Sequence, residues 1–274
     1  MKDNREKLFA VLLIATLIFS LFTIYAYSAQ KSEVKVSAKA AALYDPQSDT
    51  FLYTKNENTP LSMASTTKIM TAIVVIENAD LEKTIAVDDR AIGIEGSSVY
   101  LKKDEEISIK SLLYALMLRS ANDAAAALAY EISGSIEAFS ELMNKKACEL
   151  GLLQTHFENP HGLDSENHYT SAHDLAIISA YAISNPQFKE ICSTKKVRID
   201  SSLESRILIN HNKFLSMYDG CIGIKTGYTK KSGRSLATAV ERDGSTLICV
   251  TINAPDDWND HKKLFDYGFS LFLA

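Results

Sequence analysis

The chain has 274 residues, 46% of them hydrophobic and 23% charged, a globular balance that excludes a disordered or fibrous protein. A formal net charge of -5 argues against a nucleic-acid binder, which carries a basic excess on one face. No low-complexity tract, repeat or Pro/Gly/Ser-rich linker divides the sequence, so one large domain is expected after the first thirty or so residues.

The opening segment is an export signal by its pattern: Lys2, Arg5 and Lys7 precede an uncharged, almost wholly apolar run over residues 8–27. Such a run spans about 30 Å as a helix, enough for an uncleaved membrane anchor. Ala26 and Ser28 equally supply the small residues of a cleavage site before Ala29. Either way residues 1–29 are expected to target the membrane, and residues 30–274 to form a domain that works outside the cytoplasm.

Residues 35–55 read as two strands joined by the turn Asp45-Pro46-Gln47-Ser48-Asp49. Over residues 65–78, Ile69, Ile73 and Ile76 recur at helical spacing behind Ser65 and Thr66. Two Ala/Leu-rich helices follow, over 108–119 and 123–132, broken at Arg119-Ser120-Ala121-Asn122, and a third over 136–150 ends at Gly151. A further helix over 171–183 stops at Asn185-Pro186. Residues 222–226, 235–241 and 246–252 are β-rich, the last two joined at Arg242-Asp243-Gly244, and an amphipathic stretch over 257–273 ends the sequence. Strands at both ends with helices between predict an α+β domain whose terminal strands share one antiparallel sheet.

A serine that cleaves an amide needs a base for its proton and fixed N–H donors for the oxyanion. No G-x-S-x-G elbow is present. The six histidines sit in polar, loop-like or helix-start surroundings, do not match H-E-x-x-H, and read as surface or capping residues. The four cysteines are widely spaced, without C-x-x-C, and read as small core residues. The remaining base is lysine. S-x-x-K occurs four times, at Ser28, Ser32, Ser65 and Ser193, but only Ser65-Thr66-Thr67-Lys68 opens a strongly apolar helix, where burial would depress the amine's pKa. Ser120-Ala121-Asn122 then lies at a break between helices, and Lys225-Thr226-Gly227, the single K-T-G, at the end of a predicted strand. Read alone, these are a helix cap and a strand-end turn. Their order, with a helical block between the first and last, argues against coincidence.

On these motifs, together with ASTTKIMTAIV, LLYALMLRSANDAAAALA, the Asn159-Pro160-His161-Gly162-Leu163-Asp164 loop, YTSAHDLA and GIKTGYTKKSGRSLA, the sequence resembles the low-molecular-weight penicillin-binding proteins, the serine D-alanyl-D-alanine carboxypeptidases of peptidase type S11. The resemblance implies the penicillin-binding/β-lactamase-like fold, an antiparallel sheet flanked by helices with a helical subregion. It implies a substrate, the peptidoglycan stem peptide ending in D-Ala-D-Ala, and covalent inhibition by β-lactams, with no metal or other cofactor. By the same resemblance Ser65 is the nucleophile, Lys68 its base, and Ser120 the relay to the leaving D-alanine. Asn122 holds Lys68 and the substrate amide, Lys225 and Thr226 bind the terminal carboxylate, and Gly227 keeps the strand clear for substrate. The backbone N–H groups of Ser65 and Tyr228 form the oxyanion hole.

Two departures stand out. Many family members carry a β-rich second domain, whereas here the helix ending LFDYGFSLFLA almost closes the sequence, so a catalytic domain alone is expected. Ser232 also occupies a position where the pattern leads one to expect alanine. Among rival readings, a β-lactamase of the common class would need Glu-x-x-x-Asn between Asn122 and Lys225, and no such spacing occurs. A D,D-transpeptidase shares every residue named and differs only in its acceptor. A non-catalytic wall-binding module would have no need of all five motif side chains together.

Overall fold

The computed structural model describes residues 34–272 and, before them, Thr16; the predicted targeting run and cleavage position lie outside the described residues. The chain divides into two compact units, residues 1–35 and 36–274, and the account below concerns the second. Among the described residues no helix is long and apolar enough to cross a membrane.

The expected opening hairpin forms from β1 (Ala40–Asp45) and β2 (Thr50–Lys55). Asp45 closes its turn by accepting from Gln47 N at 2.9 Å and Ser48 Oγ at 2.6 Å, the local side-chain bonding that makes Asp a turn residue. β1 is buried along its whole length while β2 is half exposed, which marks a central strand beside an edge.

The C-terminal strands β7 (Cys221–Thr229), β8 (Gly233–Arg242) and β9 (Ser245–Ile252) form an antiparallel meander. β9 pairs with β1, Ala40 opposite Ile252, so the two ends of the domain share one sheet in the order β2-β1-β9-β8-β7, as expected. Side chains alternate between faces: Ala40, Ala42, Val250 and Ile252 join the main core, while Leu43 and Leu247 face the last helix. There a Cβ on Gly268 would lie 2.6 Å from Leu43 Cδ2.

The helices are α1 (Lys68–Asn78), α2 (Ile109–Leu118), α3 (Asn122–Ser133), α4 (Ile136–Glu149), α5 (Ala172–Ser184), α6 (Pro186–Ser193), the short α7 (Phe214–Met217) and α8 (Asp257–Ser270). Ser108, Ser135 and Ser171 cap α2, α4 and α5 by accepting a backbone N–H, the usual use of serine at a helix start. α1 begins later than its periodicity suggests, because residues Ala64–Thr67 form a 3-10 turn. The chain does not leave helical structure at Asn185-Pro186 as expected. Asn185 ends α5 and caps α6 by accepting from Gln187 N and Phe188 N, with Pro186 at the first helical position, where its missing N–H costs nothing.

Two short ladders were not expected: β3 (Thr84–Ala86) with β4 (Glu106–Ser108), and β5 (Lys196–Asp200) with β6 (Ser205–Ile209). The second is tied down by Arg206, which donates to both oxygens of the fully buried Glu105 and to the Val99 and Tyr100 carbonyls. Burial is the largest single influence on Glu105 and opposes its ionisation, but hydrogen bonds from Arg206, Ser201 and the Lys102 N–H, with the guanidinium charge, together outweigh it and leave the carboxyl below its usual range. Arg206→Ala would strand that charge, so it should cost roughly 3–5 kcal/mol of stability. Urea titration of the two proteins reads the difference, and a loss under about 1 kcal/mol would contradict this account.

The cysteine and histidine expectations need correction. Cys192 and Cys249 are buried, but Cys148 is exposed and Cys221 intermediate; all four are free. His261, wholly buried between α8 and the sheet, is hydrogen-bonded to Thr238 Oγ1 at 2.6 Å and Thr251 Oγ1 at 3.0 Å. His168 is also buried. Hydroxyl partners distant in sequence make these positions tolerable, and nothing in the local sequence announces them.

Candidate active site

Ala64, just before Ser65, has φ of 49°, a left-handed conformation that costs an L-residue energy and recurs where backbone is held for function. It turns the chain into the 3-10 segment, which leaves Ser65 partly exposed. In 3-10 geometry positions i and i+3 eclipse, and Lys68 Nζ lies 3.2 Å from Ser65 Oγ. The S-x-x-K contact therefore arises from this turn rather than from an α-helical face.

Lys68 is fully buried. Its Nζ also meets Asn122 Oδ1 at 2.7 Å and, more closely, the His161 carbonyl oxygen. Burial is the main cause holding its pKa well below the ordinary ammonium value, with the Lys225 charge adding to the shift and Asp123 opposing it. A neutral amine has two N–H bonds and one lone pair. Asn122 Oδ1 and His161 O, which can only accept, take the two hydrogens, so the lone pair faces the Ser65 hydroxyl. The arrangement can remove a proton from Ser65.

Asn122 is the first residue of α3, and Ser120, at φ of 60°, makes the break before it. Asn122 is aimed by its own contacts: its backbone N–H donates to Ser97 O at 2.7 Å and its Nδ2 to Glu95 O at 2.6 Å. A Cβ on Gly96 would fall 2.7 Å from Nδ2, so that loop must carry glycine there.

The K-T-G triplet sits inside β7, which continues to Thr229, rather than at a strand end. β7 is the edge of the sheet. A Cβ on Gly227 would lie 3.1 Å from Ser65 N and 3.2 Å from Met63 O. Gly227 thus lets the strand approach the turn that carries Ser65. Ser232 is not idle either: it accepts from Thr229 N at 3.1 Å and Thr229 Oγ1 at 2.9 Å, pinning the β7–β8 turn.

Ser65, Ser120, Thr226, Gly227 and Tyr228 line one cleft of about 410 Å³. The motif residues Lys68, Asn122 and Lys225 lie buried behind that lining. Lys225 donates to Thr226 O at 3.0 Å, and the cations on the cleft wall are Lys213 and Arg234. Sequence reasoning missed both, along with Trp258. The one available signal for Arg234 is its register opposite Tyr228 in the β7–β8 ladder, legible only once that pairing is known.

Burial alone lowers the Lys225 pKa to about 7. Between that value and the ordinary 10.5 the unfolded chain binds a proton that the folded chain does not, so this residue's contribution makes stability rise with pH across the interval. Below about 7 both states are protonated and the folded state carries the full desolvation cost. Lys225→Met should therefore be more stable than the parent at pH 6, by roughly 1–2 kcal/mol, with a shallower rise toward pH 10. Matched melting curves at the two pH values test it; an equal or lower melting point at pH 6 would contradict the assignment.

A serine hydroxyl within reach of a buried lysine amine, beside a glycine-backed edge strand around one cleft, has the layout of a serine acyl-transfer site. The comparisons give the family. The family model for D-alanyl-D-alanine carboxypeptidase matches residues 26–256, and the chain belongs to that family. It is 34% identical over 280 residues to the D-alanyl-D-alanine carboxypeptidase DacF of Bacillus subtilis (strain 168), covering 97% of this chain and 72% of that protein. It is 32% identical to the D-alanyl-D-alanine carboxypeptidase DacB2 of Mycobacterium tuberculosis, covering 83% of this chain and 80% of that one. The crystal structure of the Streptomyces K15 DD-transpeptidase superposes with a TM-score of 0.83 at 31% identity, over 87% of this chain and 99% of that one. The penicillin-binding α+β fold expected from sequence is thereby established.

Proposed function

We propose that the protein is a serine D-alanyl-D-alanine carboxypeptidase that trims the terminal D-alanine from peptidoglycan stem peptides through an acyl-enzyme on Ser65. The observation that carries this reading is the buried Lys68 amine, 3.2 Å from Ser65 Oγ, with its other contacts taken by acceptors. Ser65 Oγ attacks the carbonyl carbon of the penultimate D-alanine while its proton passes to Lys68 Nζ. The oxyanion is received by the backbone N–H groups of Ser65 and Tyr228. As the C–N bond breaks, the Ser120 hydroxyl delivers a proton to the departing amine and is reprotonated from Lys68. Water then attacks the ester and gives up a proton to the same lysine, which passes it to Ser65 Oγ as the ester C–O bond breaks, restoring the serine hydroxyl and the neutral amine.

Asn122 orients Lys68 and the substrate amide. The terminal carboxylate is held by Thr226, in the positive field of Lys213 and Arg234 on the wall, and its own charge favours protonation of Lys225 behind the lining. β-Lactams mimic the donor and leave an acyl group that water removes slowly. The basic start and apolar run over 8–27 support export, with action on the extracytoplasmic face of the membrane or in the wall.

The test is an intact-mass time course of the protein with excess benzylpenicillin, followed by D-alanine release from a D-Ala-D-Ala peptide. A persistent adduct on Ser65 with release into water is the expected result. A persistent adduct with transfer only to an added amine identifies a transpeptidase, the activity named for the K15 neighbour. Rapid turnover of the drug identifies a β-lactamase, and no adduct removes the acyl-enzyme reading.

A further inference from the structure

His168 belongs to none of the motifs, yet it is buried close to the nucleophile. Its Nδ1 lies 3.0 Å from Glu158 N, and a backbone N–H can only donate, so Nδ1 accepts. The ring proton of the neutral imidazole is then on Nε2, 2.7 Å from Thr67 Oγ1. Thr67 Oγ1 takes that proton's hydrogen bond and spends its own on Ala64 O, 2.7 Å away. Every hydrogen in the chain from Glu158 N to Ala64 O thus has one direction.

The two ends of this chain belong to the two backbone segments that hold Lys68. The loop over 158–163 presents His161 O to Lys68 Nζ, and the turn Ala64–Thr67 carries Ser65. They touch directly: a Cβ on Gly162 would lie 2.0 Å from Ala64 O and 2.9 Å from Thr67 Oγ1. Thr71 Oγ1 adds a parallel tie to Pro160 O at 2.6 Å. We propose that His168 is a positioning residue for acyl transfer, which through Thr67 fixes the gap between loop and turn and so holds Lys68 Nζ between Ser65 Oγ and His161 O. Burial, the main cause, lowers the imidazole pKa to about 4, which keeps the required neutral tautomer at neutral pH. The inference rests on the assignment of Ser65 and Lys68 given above.

Asparagine at 168 places its amide near Nδ1 and keeps the Glu158 contact alone; glutamine places its amide near Nε2 and keeps the Thr67 contact. The measurement is the rate of Ser65 acylation by benzylpenicillin against drug concentration, with melting temperature recorded for each variant. His168→Asn should slow the limiting acylation rate at least about tenfold without moving the half-saturating concentration, because displacement of a reacting group costs rate rather than binding. His168→Gln should recover most of the loss. Thr67→Val, which leaves His168 intact, should match the asparagine variant, with Thr67→Ser recovering. Equal rates for the two His168 variants would overturn the proposal, as would wild-type acylation in Thr67→Val, which decides the matter if a His168 variant fails to fold. Absence of acylation in the parent protein would instead refute the Ser65 reading.

Discussion

Ser65→Ala is expected to give no benzylpenicillin adduct by intact mass and to lose D-alanine release by a factor on the order of 10⁴–10⁶, the scale on which removal of a nucleophile acts. Its melting temperature should hardly change. Ser65 is partly exposed at the cleft, and its hydroxyl meets Lys68 at the longest of that amine's three contacts. Deletion of the oxygen leaves Asn122 Oδ1 and His161 O still bonded to Lys68. A variant that retained more than about a hundredth of the parent rate would remove Ser65 from the mechanism, since residual catalysis from oxyanion stabilisation and binding alone is far smaller.

The second large effect belongs to Lys68. Lys68→Arg keeps a cation but cannot supply a base, because a guanidinium does not deprotonate in this range. Acylation should fall about 10²–10⁴-fold, the usual worth of a general base. In the parent the rate should drop as pH falls through the depressed Lys68 pKa, since protonation consumes the lone pair that faces Ser65; above it the amine is neutral and active. The arginine variant should lose that acid limb along with the rate. A pH–rate profile for acylation reads both, and an unchanged limb in Lys68→Arg would assign the titration to another group.

Much of this arrangement was legible in the sequence where local physics decides the structure. The Asp45 turn, the serine caps and the alternating strands of the C-terminal meander depend on neighbours a few positions away, and there the expected elements formed. The Ser65–Lys68 pair was readable because S-x-x-K is itself a local contact, although the 3-10 turn that produces it was not. What stayed hidden depends on partners distant in the chain. Asn185 serves two helices because a second helix needed capping beyond it. His168 and His261 look like surface residues until Thr67, Thr238 and Thr251 come to meet them. The short ladders of β3–β4 and β5–β6 mix exposed and buried positions over three to five residues, too few for periodicity to speak. Lys213 and Arg234 join the cleft only through tertiary placement, and so the sequence pointed to buried Lys225 as the carboxylate ligand while the cations on the wall went unseen.

The pairing of β1 with β9 sets the order in which activity can be acquired. Strand β1 cannot complete its hydrogen bonding until a segment about two hundred residues further along the sequence is available, since its partner Val250 lies opposite Ala42. Such long-range closure is entropically expensive and slow compared with local helix formation. The helices that carry Lys68 and Asn122 can form early, but the edge strand that brings Gly227 against Ser65 depends on β8 and β9 being in register. A chain caught before that step has Ser65 and Lys68 without the edge strand that walls the cleft. Late assembly of the cleft is thus a property of the topology itself.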